Sequence, residues 1–155
     1  MISAAEALAR LREGNRQFVA RIPDAATSLD AERRARLAAG QEPFATILGC
    51  SDSRVPAELV FDQGFGDLFV IRVAGNIVAP SQVGSVEFAA EAFGTPLVVV
   101  LGHSKCGAIQ ATLEQMRQSV PTAGRNLRSI VDRIRPSIEP LVRHPAPRLL
   151  SLIHI

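Results

Sequence analysis

Residues 44–54 read Phe-Ala-Thr-Ile-Leu-Gly-Cys-Ser-Asp-Ser-Arg, an apolar run followed directly by a cysteine, an acid and an arginine. Two similar apolar runs, residues 68–71 and 97–101, follow along the chain, with glycine or proline nearby. Near-continuous apolar runs that contain β-branched residues are typical of strands buried on both faces, as in a parallel sheet. The sequence therefore predicts three buried parallel strands, of which residues 44–49 form the first.

Helical patterns alternate with these strands. The predicted helices cover residues 3–19, about 30–39, 56–61, 81–93, 106–118 and 126–143, the last interrupted by Pro136 and Pro140. Strand–helix alternation predicts an α/β fold, a mainly parallel central sheet flanked by helices with right-handed crossovers. The first helix carries apolar residues at near-helical spacing among charges, so we expect it to be amphipathic and to dock on another surface. In such sheets, chemistry lies just beyond the carboxyl ends of the strands.

Composition narrows the classes of function. The 155 residues are enough for one domain with a hydrophobic core, and a formal net charge of +2 gives no reason to expect nucleic acid as a partner. No apolar run approaches the roughly 20 residues that span a bilayer, so no membrane partner is expected. The N-terminal residues mix charged and apolar side chains and do not resemble a secretory signal, which predicts a cytoplasmic protein. Thiols stay reduced there, so we expect the two cysteines to be ligands, nucleophiles or core residues and not a disulfide.

Potential metal ligands follow two of the three predicted strands. Cys50 and Asp52 come after the first strand, and His103 and Cys106 come after the third. A lone buried cysteine is usually a small hydrophobic residue, and a lone histidine is usually a satisfied polar group. Here, however, both cysteines of the chain converge with a histidine and an acid at strand ends. Two thiolates, one imidazole and one carboxylate make a complete tetrahedral set, which predicts a zinc site.

The two motifs Cys50-Ser-Asp-Ser-Arg54 and His103-Ser-Lys-Cys106-Gly resemble the signature pair of the β-class carbonic anhydrases. The resemblance runs from about residue 4 to residue 138 and includes residues 72–76, RVAGN, and 84–88, GSVEF. It implies a lyase that hydrates carbon dioxide reversibly to bicarbonate and a proton, with one zinc ion per chain. It also implies a homodimer or higher homo-oligomer, in which we expect the N-terminal helix to dock on a partner subunit.

Asp52 has two possible states. If its carboxylate ligates zinc, all four positions are filled and no water can bind, so the site is closed. Arg54, two residues on, can pair with the carboxylate in bidentate fashion and hold it off the metal. The structural alternative is that Arg54 forms only a weak surface salt bridge. The resemblance implies that both states exist, and that in the open state Asp52 accepts a hydrogen bond from the zinc-bound hydroxide.

The resemblance also implies a substrate pocket. Gln41, as a hydrogen-bond donor, and Phe69 match family residues that line the pocket for carbon dioxide and bicarbonate, and in relatives these residues reach across a dimer interface. Phe88 stands where many relatives have tyrosine, and Ala74 stands where some have valine. For the two phenylalanines, plain core packing is an alternative that is compatible with lining an apolar pocket. Gly102 and Gly107 flank the second motif and are expected to allow tight turns near the metal.

The family normally continues past residue 155 with a further helix and an edge strand. We therefore expect residues 1–149 to be a single, C-terminally truncated domain. Residues 150–155, LSLIHI, match the in-frame translation of a common sequencing adaptor, so we expect a non-native tail. Genuine genomic sequence encoding this tail, found by resequencing the locus, would disprove that interpretation.

Other functions stay open at the level of sequence. The same zinc chemistry could hydrolyse carbonyl sulfide or carbon disulfide, which relatives on this fold do. A zinc-stabilised, non-catalytic binding domain is a third hypothesis, although it gives no use to Arg54 or Gln41. A nucleotide-binding domain is the weakest hypothesis, because no glycine-rich phosphate loop follows the first strand.

Overall fold

The fold is built around a three-stranded parallel sheet, seen in a computed structural model that describes residues 2–20, 31–117 and 124–143. The strands are β1 (Ala45–Gly49), β2 (Leu68–Arg72) and β3 (Val98–Leu101), in the order β2-β1-β3. At the carboxyl end of the central strand, Gly49 lies opposite Arg72 on one side and opposite Leu101 on the other. The predicted parallel sheet is confirmed, and all three strands end at the same edge.

Helices surround the sheet much as predicted. They are α1 (Ala4–Ala20), α2 (Ala31–Leu37), α3 (Ala57–Val60), α4 (Pro80–Phe93), α5 (Gly107–Arg117) and α6 (Arg125–Arg143). A 3₁₀ turn, Ala74–Asn76, follows β2 and was not predicted. The polar connector after α1, the end of the fifth predicted helix and the expected tail lie outside the described residues. Within the described ranges, no helix combines the length and the apolar character needed to cross a bilayer.

Helix α6 corrects one expectation, since it continues through both prolines instead of being interrupted by them. Pro136 and Pro140 are exposed, whereas Val131 and Ile134 on the same helix are buried. A proline inside a helix removes one backbone hydrogen bond and strains the preceding turn. Both prolines lie on the exposed face, and the packing of the opposite face, through Val131 and Ile134, stabilises the helix.

The main core fills the side of the sheet that α1 and α3 cover. Its buried members are Ala7, Leu11, Phe44, Ala45, Ile47, Ala57, Phe61, Leu68 and Leu101. Helix α1 begins with a capping box, in which Ser3 Oγ accepts from the Glu6 backbone N–H and Glu6 accepts from the Ser3 backbone N–H. The predicted amphipathic helix is therefore present, and its apolar face packs on the chain's own core. Phe18 and Val19, near its end, are exposed.

The opposite side of the sheet is only partly covered. Phe69 of β2 packs there against Phe88 and Phe93 of α4, with ring centroids 6.2 and 5.8 Å away. On β3, however, Val98 and Val100 are 45% and 61% exposed. The expectation that every strand is buried on both faces is thus wrong for β3. The physical reason is that α4 packs over β1 and β2, which leaves this face of β3 largely exposed.

We expect Gly14→Ala to destabilise the chain, because Gly14 is where α1 meets α3. A Cβ atom at this position would overlap the backbone carbonyl of Phe61 and lie 2.9 Å from Gln63 Nε2. Overpacking of this kind costs about 1–3 kcal/mol, and here the obstacle is backbone, which yields little. Urea unfolding followed by circular dichroism measures the loss, since the chain has no tryptophan or tyrosine for fluorescence.

The matched control is Gly84→Ala, also within a helix but with no atom within 4 Å of the added Cβ. Alanine is the better helix former, so this variant is expected to be unchanged or up to ~1 kcal/mol more stable. Equal stability of the two variants would show that α1 does not pack on α3 in this way.

Candidate metal centre

Three predicted metal ligands meet at the carboxyl edge of the sheet. Cys50 directly follows β1, His103 follows β3, and Cys106 immediately precedes α5. The two sulfur atoms and one ring nitrogen of His103 all lie within 4.8 Å of one another. The cysteines are free and buried, with their Sγ atoms 3.9 Å apart. The parallel pairing of β1 with β3 therefore converts two distant sequence motifs into one cluster.

The hydrogen bonding of His103 leaves one ring nitrogen available as a ligand. Nδ1 lies 2.9 Å from the carbonyl oxygen of Ser104, an acceptor, so Nδ1 carries the proton. Nε2 is then the unprotonated nitrogen, and it is buried without a hydrogen-bond partner among the described residues. An orphaned acceptor beside two thiols is a costly arrangement unless something binds it. Fixing the tautomer through the other nitrogen is the usual way in which proteins prepare a metal-binding histidine.

The surroundings of Cys50 favour its thiolate. Burial raises the pKa of this thiol, but hydrogen bonds to the sulfur, among them those from the backbone N–H groups of Asp52 and Gly75, outweigh burial and lower the pKa from 9.0 to about 7. The Gly75 N–H donates to Cys50 Sγ over 3.3 Å. Gly75 has φ +68°, and a Cβ there would lie 2.7 Å from Ile134 Cδ1, so only glycine fits without strain.

Arg72, like Gly75, supports the loop that carries Cys50, and the sequence analysis assigned no role to it. At the end of β2, its Nε donates to the carbonyl oxygen of Cys50 over 3.0 Å, and its Nη2 donates to the carbonyl oxygen of Asp52 over 2.5 Å. Arg72 and Gly75 both belong to the segment of residues 72–76, RVAGN, that carries part of the resemblance. The conformation of the first ligand loop is therefore fixed from the neighbouring strand.

Asp52 and Arg54 form the predicted bidentate pair. Arg54 Nε donates to Oδ1 over 2.8 Å, its Nη2 donates to Oδ2 over 2.6 Å, and its backbone N–H also donates to Oδ1. These hydrogen bonds hold the pKa of the Asp52 carboxyl well below its usual range. Asp52 Oδ2 lies 3.9 Å from His103 Nε2, near the three ligands but outside their cluster. In this structure the carboxylate faces Arg54. That Asp52 can act as a fourth metal ligand stays a prediction.

The four residues predicted to line the substrate pocket lie in separate elements of the chain. Phe69 and Phe88 contact each other, and Phe88 is 55% exposed. Ala74 begins the 3₁₀ turn that supplies the Gly75 N–H to Cys50. Gln41 is exposed in the segment between α2 and β1. The assignment of these four residues to a substrate pocket stays a prediction.

The donor set fits zinc. Two thiolates and one imidazole nitrogen are ligands that zinc prefers, and three protein ligands with a fourth position left open are typical of catalytic rather than structural zinc sites. The orphaned Nε2 of His103 and the lowered pKa of Cys50 both suit a bound cation.

Comparison with known sequences points to one family. The family model described as carbonic anhydrase matches residues 45–148. The chain is 47% identical over 128 residues to carbonic anhydrase 2 of Mycobacterium tuberculosis, covering 83% of the chain and 61% of that protein. The carbonic anhydrase of Mycolicibacterium smegmatis gives the same identity and coverage. The chain thus spans about three fifths of the length of these relatives.

Solved structures agree. The fold matches a tetrameric β-carbonic anhydrase of Sordaria macrospora with a TM-score of 0.63 and 28% identity, over 71% of this chain and 55% of that one. A β-carbonic anhydrase of Aspergillus fumigatus gives the same TM-score and identity over 90% of this chain and 62% of the other.

We expect the chain to bind one zinc ion, and Cys106→Ser to weaken that binding by at least roughly 100-fold, because loss of a direct ligand exceeds the 10–100-fold typical of outer positions. Ser53→Ala, in the same loop as Cys50 but exposed, is the control and is expected to bind zinc normally. Competition with a chromophoric chelator measures both affinities. Equal affinities would exclude Cys106 as a ligand.

Zinc affinity is expected to rise with pH. The part of this rise that comes from deprotonation of Cys50 is expected to end above about pH 7. Below the pKa of about 7, zinc must displace the proton of Cys50, and each unit of pH then changes the affinity by about tenfold for this group. Above it, the thiolate is already formed. The chelator titration repeated between about pH 6 and 8 tests this expectation. An affinity that stays constant below pH 7 would contradict a thiolate ligand with this pKa.

Proposed function

Because the chain belongs to the β-class carbonic anhydrase family, we propose that it hydrates carbon dioxide reversibly to bicarbonate and a proton with one zinc ion per chain. The relatives are longer than this chain, so the proposal rests on the site rather than on their names. Its main support is that the ligand atoms of Cys50, His103 and Cys106 converge while Asp52 is held by Arg54. Three ligands with an open fourth position are what a hydrating zinc site requires.

Zinc supplies the nucleophile in such a site by lowering the pKa of bound water toward neutrality, a general behaviour of which the all-histidine carbonic anhydrases are the standard example. Cys50, His103 and Cys106 would hold the ion. Their strand-end positions fix the geometry before the ion binds, so little reorganisation is needed.

Asp52 orients the attacking water in this proposal. Arg54 keeps the carboxylate ionised and fixes its direction, and the remaining lone pairs of Asp52 can accept a hydrogen bond. Arg54 is positioned in turn by Asp52 and by the second ligand loop. The overall balance is one water and one carbon dioxide consumed, one bicarbonate formed and one proton released to solvent.

The predicted pocket follows from the chemistry of the substrate. Carbon dioxide has no net dipole and suits an apolar surface, which Phe69 and Phe88 offer. Phenylalanine at position 88 lacks the hydroxyl of a tyrosine, so one polar contact to bicarbonate is missing. Ala74 leaves more space than valine, and Gln41 would donate a hydrogen bond to bicarbonate. These assignments carry over from the resemblance.

We also infer a cytoplasmic homodimer or higher homo-oligomer. The structural relative from Sordaria macrospora is tetrameric. Exposed apolar side chains on α1 and α4, among them Phe18, Val19 and Phe88, would be covered by a partner subunit. Docking of α1 on that partner would use the end of the helix that the chain's own core leaves exposed. A single monomeric species in sedimentation velocity would contradict this inference.

A non-catalytic zinc domain is less well supported. Such a domain would close the zinc with four protein ligands, whereas here the nearest carboxylate is paired with Arg54. No feature of the described site favours carbonyl sulfide or carbon disulfide over carbon dioxide.

We expect the zinc-loaded chain to hydrate carbon dioxide in a stopped-flow assay at mildly alkaline pH, and Cys106→Ser to fall to the uncatalysed rate. Ser53→Ala is expected to keep full activity. The same preparations assayed with carbonyl sulfide separate the two substrate classes. A wild-type chain that binds one zinc ion but gives no hydration would overturn the proposed activity for this chain.

A further inference from the structure

Lys105 adopts a backbone conformation that its residue type disfavours. It lies between His103 and Cys106 in the second ligand loop and has φ +55°, in the left-handed region. A residue with a Cβ atom enters this region at a cost, and lysine has no short polar side chain that would compensate locally. Its side chain is exposed. The conformation therefore has to be explained by what the backbone of Lys105 does.

The carbonyl oxygen of Lys105 accepts a hydrogen bond from Arg54 Nη2 over 3.1 Å. The same Nη2 donates to Asp52 Oδ2, and Nε donates to Oδ1. One guanidinium group thus joins the carboxylate of the first ligand loop to the backbone of the second. The direction of the Lys105 carbonyl follows from the φ and ψ angles of Lys105, so the left-handed conformation is what presents the acceptor to Arg54.

We propose that Lys105 is a positioning residue, whose left-handed backbone anchors Arg54 and so keeps Asp52 away from the metal position. The proposal rests on the proposed zinc site. Asp52 Oδ2 lies 3.9 Å from His103 Nε2, so the carboxylate borders the ligand cluster and would compete for the metal if Arg54 released it. Arg54 is 57% exposed, and an ion pair in contact with water is a weak restraint. The carbonyl of Lys105 adds a second, immobile attachment point for the guanidinium.

The test separates the backbone of Lys105 from its side chain. Lys105→Gly and Lys105→Asn both accept the left-handed region, Lys105→Ala resists it, and Lys105→Val resists it most. All four remove the ammonium group. Each protein is loaded with Co²⁺ and titrated with azide, since the visible spectrum reports whether an external ligand can enter the fourth position.

The glycine and asparagine variants are expected to bind azide as the wild type does. The valine variant is expected to bind azide roughly 10-fold more weakly, the lower end of what loss of an outer-shell contact causes, because Asp52 then competes for the metal. The alanine variant is expected to lie between them. In ¹⁵N spectra of the metal-free proteins, the Arg54 Nε–H signal, assigned by its loss in Arg54→Lys, should be protected from exchange in the glycine variant and unprotected in the valine variant.

Equal azide affinity and equal Arg54 protection across the four variants would overturn the proposal. So would a glycine variant as impaired as the valine variant, because that result assigns the role to the side chain. If the valine variant does not fold, the comparison of alanine with glycine decides on the same criteria. None of these measurements uses carbon dioxide, so a chain that fails to hydrate it while following the expected order would disprove only the proposed function.

Discussion

The parallel pairing of β1 with β3 is the constraint on which the site depends. Because Gly49 and Leu101 lie opposite each other, the two ligand loops leave the sheet at the same level. The hydrogen bonds of the sheet fix that level, and a slip of one residue would also turn the side chains of β1 to the wrong face. The 3.9 Å between the sulfurs of Cys50 and Cys106 therefore follows from strand register. Fifty-six positions of sequence separate these cysteines, so only the sheet brings them together.

Bringing Cys50, Cys106 and Asp52 together concentrates acidic groups at one edge of the sheet, and neighbouring N–H groups and arginines offset their charge. Two cysteine sulfur atoms and one carboxylate share the edge of the sheet, and like charges repel most strongly where water is excluded. The Gly75 N–H stabilises the sulfur of Cys50 directly. Arg54 neutralises Asp52, and Arg72 ties the carbonyl groups of the same loop. A divalent cation would complete this balance, so the cluster suits a metal ion better than a disulfide.

The sequence was sufficient for the sheet, for the flanking helices and for the convergence of Cys50, His103 and Cys106, because these depend on hydrophobic pattern and on residue types of restricted chemistry. It was not sufficient for the contacts made by backbone atoms. The N–H of Gly75 and the carbonyl of Lys105 carry no signature in the identity of their own side chains, apart from the glycine that a positive φ requires. The exposed face of β3 was also missed, since an apolar run such as Val98–Leu101 does not reveal whether a neighbour covers it.

The ambiguity of Asp52 has a physical origin in the same contacts. A carboxylate next to two soft ligands is a natural fourth ligand, and only competition from Arg54 removes it. Because Arg54 is largely exposed, solvent screens its attraction and the balance between the two partners of Asp52 is a narrow one. Geometry therefore decides more than charge does. A guanidinium held by both the carboxylate and a fixed carbonyl loses less freedom when it pairs than a free surface arginine does, so even a screened pair keeps one orientation. An open fourth position at the metal would then depend on a backbone carbonyl in the opposite loop.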